Sequence, residues 1–148
     1  MMQPSFHDAA SGLLTDEAFT FIVNTLLKQA LRTQEFLTLV IFYAERASRE
    51  ALVAADEFLV AELARLIRLA VRETDLIGRT ADGMLALMLA GIDSERTTTV
   101  IDRLNEHFRR HDTASTLHIR VGVATCPAHG IQADELLRHA IAKARATT

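Results

Sequence analysis

Residues 79–89, RTADGMLALML, set a polar turn directly against an apolar run. Ala81-Asp82-Gly83 has the chemistry of a tight hairpin turn, because Gly reaches left-handed backbone angles without a Cβ penalty and Asp tolerates them. The segments on either side, about 75–80 and 84–90, then read as the two strands of a β-hairpin. A carboxylate at such a turn is also a position where an enzyme can hold catalytic groups, and Asp82 is the one acid the turn supplies.

Working outward, the run 36–42, FLTLVIF, is rich in β-formers and almost uninterruptedly apolar, which predicts a strand buried on both faces and central in its sheet. Upstream, Phe19, Ile22, Val23, Leu26, Leu27 and Leu31 recur at helical spacing, with Thr15 as N-cap, and predict a helix over 15–32. Residues 49–73 carry a second helical stripe. A cap candidate at Asp56 makes this two helices or one broken there. A third helix is expected over 93–110, a strand over 117–123 and a closing helix over 133–145. The order α-β-α(α)-β-β-α-β-α predicts an α+β fold of ferredoxin-like or palm type, a mostly antiparallel central sheet flanked by helices.

At 148 residues the chain suits a single domain over 1–148, with no internal repeat and no linker. A net charge of −3 recruits neither nucleic acid nor anionic lipid. No apolar stretch approaches the roughly 18–20 residues of a membrane span, so a cytoplasmic protein without a membrane partner is expected. The single Cys126 forms no intramolecular disulfide and is expected as a buried small hydrophobe. His107 and His111 have the spacing of a helical metal pair but lack a third ligand, and they read as a solvated helix end. Gly12 and Gly130 read as turn glycines.

Three blocks, in order, resemble the GGDEF domains of bacterial cyclic-di-GMP signalling. DAASGLLTDEAF resembles the opening D-x-L-T-G-L-x-N-R-x-x-F at Asp8, Gly12, Leu13 and Phe19. RETDLIGRTADGMLALMLAG resembles R-x-x-D-L-x-x-R-x-G-G-D-E-F-x-x-x-L-x-G without a gap. LHIRVGVATCPAHGIQADELLRHA resembles the closing pattern S-I-G-V-A-x-Y-P-x-D-G-x-x-x-x-x-L-L-x-x-A. The resemblance implies a fold of the nucleotide-cyclase palm kind. Active members condense two GTP molecules with two divalent metals, a chemistry that needs carboxylates to hold those metals.

Laid on this chain, the signature falls on Ala81, Asp82, Gly83, Met84 and Leu85, so Gly83 and Met84 stand where the resemblance implies acids. Sliding the match by one would give Asp82 the metal position, but would put Arg79 and the apolar strand out of register. The other metal-binding Asp falls on Tyr43, with Glu45 two residues on, a poor substitute as a lone carboxylate for Mg²⁺. Asp56 matches the acid that helps hold guanine, but the base-contacting segment before it is shortened. Ile141 replaces a usual Asp, and the sequence stops at Thr148 where a phosphate-binding Lys is expected.

These departures imply no catalytic residues, no bound Mg²⁺ or other cofactor, and a domain that is not an enzyme. What survives resembles the family's product-binding inhibitory site: Arg72 and Asp75 in an R-x-x-D motif, with Arg103 on the next helix. Arginine forks suit phosphate and guanine edges, and a carboxylate can accept from guanine N–H groups. The same residues also have plain structural roles at a helix end, a strand start and a solvated helix face. The readings are a cyclic-di-GMP receptor, or an interaction module binding no nucleotide, with a second copy of the chain or an unidentified signalling protein as partner. A residual cyclase is the third.

Overall fold

The computed structural model describes residues 13–146, so Asp8, Gly12 and Thr148 lie outside the described residues. The first helix, α1 (Asp16–Thr33), is capped by the Thr15 hydroxyl, which accepts from the Ala18 N–H. It ends at Gln34, whose left-handed backbone (φ 58°) lets its N–H reach the last carbonyls.

Next comes β1 (Leu37–Ala47), the axis of the sheet. Over residues 37–42 it pairs antiparallel with β4 (Leu85–Ala90) on one edge, and over 37–45 with β5 (His118–Cys126) on the other. A short strand β2 (Leu52–Ala54) folds back on Glu45–Ala47, and β3 (Leu76–Arg79) pairs with β4 beyond it. The result is a five-stranded antiparallel sheet. Helices α2 (Glu57–Ala70), α3 (Ser94–Arg110) and α4 (Ala133–Ala146) complete the fold.

Strand alternation separates two cores. Leu39 and Ile41 of β1, with Ala86 and Met88 of β4, face Phe19, Val23 and Leu27 of α1 and Leu136 and Ala140 of α4. Val40 and Phe42, with Leu85, Leu87 and Leu89, face Leu63 and Ile67 of α2 and Leu104 and Phe108 of α3. The sheet is therefore sandwiched by α1 and α4 on one side and α2 and α3 on the other, an α+β arrangement as expected. Two buried hydroxyls on the paired strands β1 and β5 are satisfied: Thr38 donates to the Ile92 carbonyl at 2.6 Å and lies 3.0 Å from the Thr125 hydroxyl.

The strand expected over 36–42 continues to Ala47, and the one expected over 117–123 continues to Cys126. The helical reading of 49–56 is wrong. Ser48–Ala51 is instead a turn closed by the Ser48 N–H to the Ala51 carbonyl, and residues 52–54 are β2. The alanines here mimic a helical stripe, but the free edge of the overlong β1 captures the segment as a strand. Asp56 is the N-cap of α2, accepting from the Leu59 N–H at 2.9 Å, so one helix begins there.

Helix α4 comes close to the sheet at Gly122 on β5. A Cβ there would lie 1.9 Å from the Ala140 carbonyl oxygen and 2.6 Å from the Ala144 nitrogen, both backbone atoms of α4. At Gly78 a Cβ would instead meet side-chain atoms of Phe19, its Cδ2 at 2.7 Å and its Cβ and Cγ at 2.9 Å, rather than backbone. Gly122→Ala should therefore destabilise the fold by about 3 kcal/mol or more, and Gly78→Ala by distinctly less. Urea denaturation of the two variants checks this ordering, and equal losses would contradict it.

Candidate functional site

The hairpin turn is held by its own backbone and by Thr80. The Gly83 N–H donates to the Thr80 carbonyl and the Met84 N–H donates to the Thr80 hydroxyl, both at 3.0 Å. Gly83 has φ +82°, a conformation that suits glycine, and offers no side chain to a ligand. Met84 is buried, 3% exposed, and packs into the α1/α4 core. Arg79, just before the turn, donates to the Gly83 carbonyl at 2.9 Å and grips both carboxylate oxygens of Glu57, at 2.8 and 3.1 Å. The hairpin is thus clamped to the first turn of α2.

The end of β1 lies beside this turn. Tyr43 is partly buried against the α1/α4 core, and Tyr43, Gly83 and Met84 line a narrow space of about 40 Å³. Glu45 is buried at 8% exposure, with its Oε1 2.8 Å from the Nε of Arg120 on β5. Arg120 is cross-strand partner of Tyr43, so it projects to the α4 side, where its Nη1 donates to the Arg145 carbonyl at 3.0 Å. The Arg145 side chain in turn donates to Asp82 at 3.2 Å. Three carboxylates around the turn, Glu45, Glu57 and Asp82, each meet an arginine of the same chain.

Sequence reasoning missed Glu57, Arg120 and Arg145. Their partners are 22, 75 and 63 residues away, and no local pattern announces a pair closed across β1, β5 and the last turn of α4. Asp56 spends one carboxylate oxygen on the α2 cap, a duty that its sequence position did announce. Along α4, Ile141 and Arg145 border a shallow groove of about 540 Å³ that also touches Asp16 and Asp82.

At the far end of α2, residues 72–75 form a closed turn. Asp75 is almost enclosed and its Oδ2 accepts the Arg72 backbone N–H at 3.0 Å, while Oδ1 accepts from the Arg72 guanidinium at 3.2 Å. The guanidinium also donates to the Ala90 carbonyl at 2.9 Å, tying the turn to the end of β4. Arg103, from α3, donates to the Ala70 carbonyl at the C-terminus of α2. The fold therefore brings Arg72, Asp75 and Arg103 to one end of α2. Both arginines remain exposed there and keep donors for another acceptor.

The remaining candidates have simpler placements. His111 ends α3, its Nδ1 accepting the Ala114 N–H at 3.3 Å and its Nε2 3.7 Å from Glu62. His107 is exposed in the last turn of α3. Among the described residues no group of three His, Cys, Asp or Glu side chains is placed to hold a metal ion. Cys126 is fully buried, and burial pushes its thiol up, as befits an inert hydrophobe. Gly130 directly follows the turn at 127–129, with φ +153°. None of the helices is long and apolar enough to cross a membrane, among the described residues.

The family model described as diguanylate cyclase, GGDEF domain, matches residues 5–146. No curated protein matches the sequence. Among solved structures, the GGDEF domain of PA1120 (TpbB or YfiN) from Pseudomonas aeruginosa superposes with a TM-score of 0.79 at 22% identity, over 95% of this chain and 87% of that one. The FimX GGDEF domain from the same organism gives 0.79 at 19% identity, over 97% and 94%. The GGDEF domain of DgcB from Caulobacter crescentus, solved in complex with c-di-GMP, gives 0.76 at 12% identity, over 99% and 89%. At these identities the structures speak to the fold alone, while the family match spans nearly the whole sequence. The chain belongs to the GGDEF family.

Proposed function

We propose that this GGDEF domain is catalytically inactive and acts as a receptor for cyclic-di-GMP through Arg72, Asp75 and Arg103. The observation that carries the first half is the closure of the acids around the hairpin. Where the family pattern places metal-binding carboxylates, this chain has Gly83, which has no side chain, the buried Met84, and Tyr43. Glu45, the nearest remaining acid, is buried against Arg120, and Asp82 meets Arg145.

The donor set does not fit a pair of divalent cations. Hard ions such as Mg²⁺ need charged or neutral oxygen ligands in near-octahedral array. Extracting Glu45 for that purpose would strand a largely buried guanidinium beside it, a cost of several kcal/mol by the general behaviour of broken buried pairs.

The receptor half rests on the two exposed guanidinium groups gathered at the end of α2, each held through its Nη2, Arg72 by Asp75 and Ala90 and Arg103 by Ala70. Pre-positioned arginines lose less entropy on meeting a phosphodiester or a guanine edge than free ones. The c-di-GMP bound to the DgcB domain supports the ligand class. A second reading, a protein-interaction module, draws on large apolar side chains left exposed on the helices, among them Phe21, Phe58 and Leu69. Absence of nucleotide binding together with self-association or capture of a signalling partner would favour it.

Calorimetric titration of the purified chain with cyclic-di-GMP should give saturable binding. Arg72→Ala should weaken it by roughly 10- to 100-fold, the loss expected for a charge-assisted bond, and Arg72→Lys should restore only part, because an ammonium cannot fork. No heat and no chemical-shift change at high micromolar ligand would overturn the receptor reading. Incubation with GTP and Mg²⁺ or Mn²⁺ should yield no cyclic-di-GMP, and any turnover abolished by Glu45→Gln would overturn the inactive reading.

A further inference from the structure

The loop between β5 and α4 is fastened by a histidine. The His129 N–H donates to the Thr125 carbonyl at 2.8 Å, and the Thr125 N–H donates to His129 Nδ1, also at 2.8 Å. A backbone N–H can only donate, so Nδ1 must be unprotonated in this arrangement. The imidazole stands in for one residue of a neighbouring strand, pairing with the edge of β5 where the strand ends. Its face is stacked on His139 of α4, with ring centroids 4.3 Å apart and planes 18° from parallel. The His139 Nε2 is shielded from solvent and has no hydrogen-bond partner among the described residues.

We propose that the His129–His139 stack is a proton-sensitive latch that holds residues 127–132 and the start of α4 against β5, and that mild acid releases it. A proton on His129 Nδ1 removes the only acceptor that imidazole offers to Thr125 and sets a charge against the neighbouring ring. The charges that bear most on His129 oppose protonation, and the one carboxylate on the facing helix is engaged elsewhere. His139 and Lys143 of α4 repel it. Glu135, on the same helix, is turned to the loop backbone, its Oε1 3.4 Å from the Ile131 nitrogen. From β5 come Thr125 and the buried Cys126 thiol, which burial keeps protonated. From α1 the uncharged Asn24 accepts the Ala133 N–H at the end of the loop.

Burial, followed by His139 and Lys143, lowers His129 below its ordinary value of 6.5. The sign follows from linkage. Below pH 6.5 the unfolded chain binds a proton that the latched form does not, so stability falls as pH drops through 6.5 and levels off below the folded value. The family pattern places Asp at this position, a carboxylate that remains an acceptor through this whole range. The histidine gives this chain a response that pattern lacks.

The experiment is an NMR titration of the full chain from pH 8 to 5, following the His129 and His139 rings and the Thr125 amide. His129 should titrate with a midpoint below 6.5, and the Thr125 amide should shift with it and lose at least tenfold of its protection from hydrogen exchange. His129→Asn, whose Oδ1 accepts without titrating, should keep the Thr125 amide in place and remove most of the acid-induced loss of urea stability between pH 7 and 5. A Thr125 amide indifferent to the His129 titration, or a His129 midpoint at or above 6.5, would overturn the latch. An unchanged pH-stability slope in the variant would do so too. If the variant does not fold, the wild-type titration decides alone.

Discussion

Leu37–Phe42 is buried on both faces and paired on both edges, and β4, β5 and the two helical layers pack around it. Water reaches neither face of such a strand and both rows of backbone groups are spent on β4 and β5, so its residues are apolar except Thr38, whose hydroxyl is bonded to the Ile92 carbonyl. Its alternation sends Leu39 and Ile41 to α1 and α4, and Val40 and Phe42 to α2 and α3. Where the flanking pairing changes, at Tyr43, the environment changes as well. From there β1 carries a tyrosine and a glutamate rather than core residues, and the hairpin turn and the end of α4 gather around them.

That location explains why the candidate site has the character it has. A carboxylate at the rim of a buried sheet is tolerable only if something neutralises it. In this chain the neutralising groups are Arg120 and Arg145, and Arg79 holds Glu57 on the opposite side of the turn. The arginines at the other end of α2 differ in one respect: Arg72 keeps more than half of its side chain in solvent while its base is fixed by Asp75.

Much of this was legible in the residues. The apolar run at 36–42, the caps at Thr15 and Asp56 and the Asp82-Gly83 turn each carry a local physical signature, and the elements formed where those signatures stand. The exception is 49–56, where an alanine-rich stretch has no strong preference and pairing with the free edge of β1 decided in favour of strand. The site was half legible. Losses at Tyr43, Gly83 and Met84 are visible as residue types, and so is the R-x-x-D spacing. The ion pairs through Arg120 and Arg145, and the stacking of His129 on His139, depend on which helix lies over which strand, and spacing along the chain contains no trace of them.

Paramagnetic broadening by Mn²⁺ in the presence of GTP reports the ion's position whether or not any reaction follows. With the acids closed off by arginines, the amides of Tyr43, Glu45, Gly83 and Met84 should broaden no more than exposed residues far from the turn. Selective, saturable broadening centred on those four residues would contradict it.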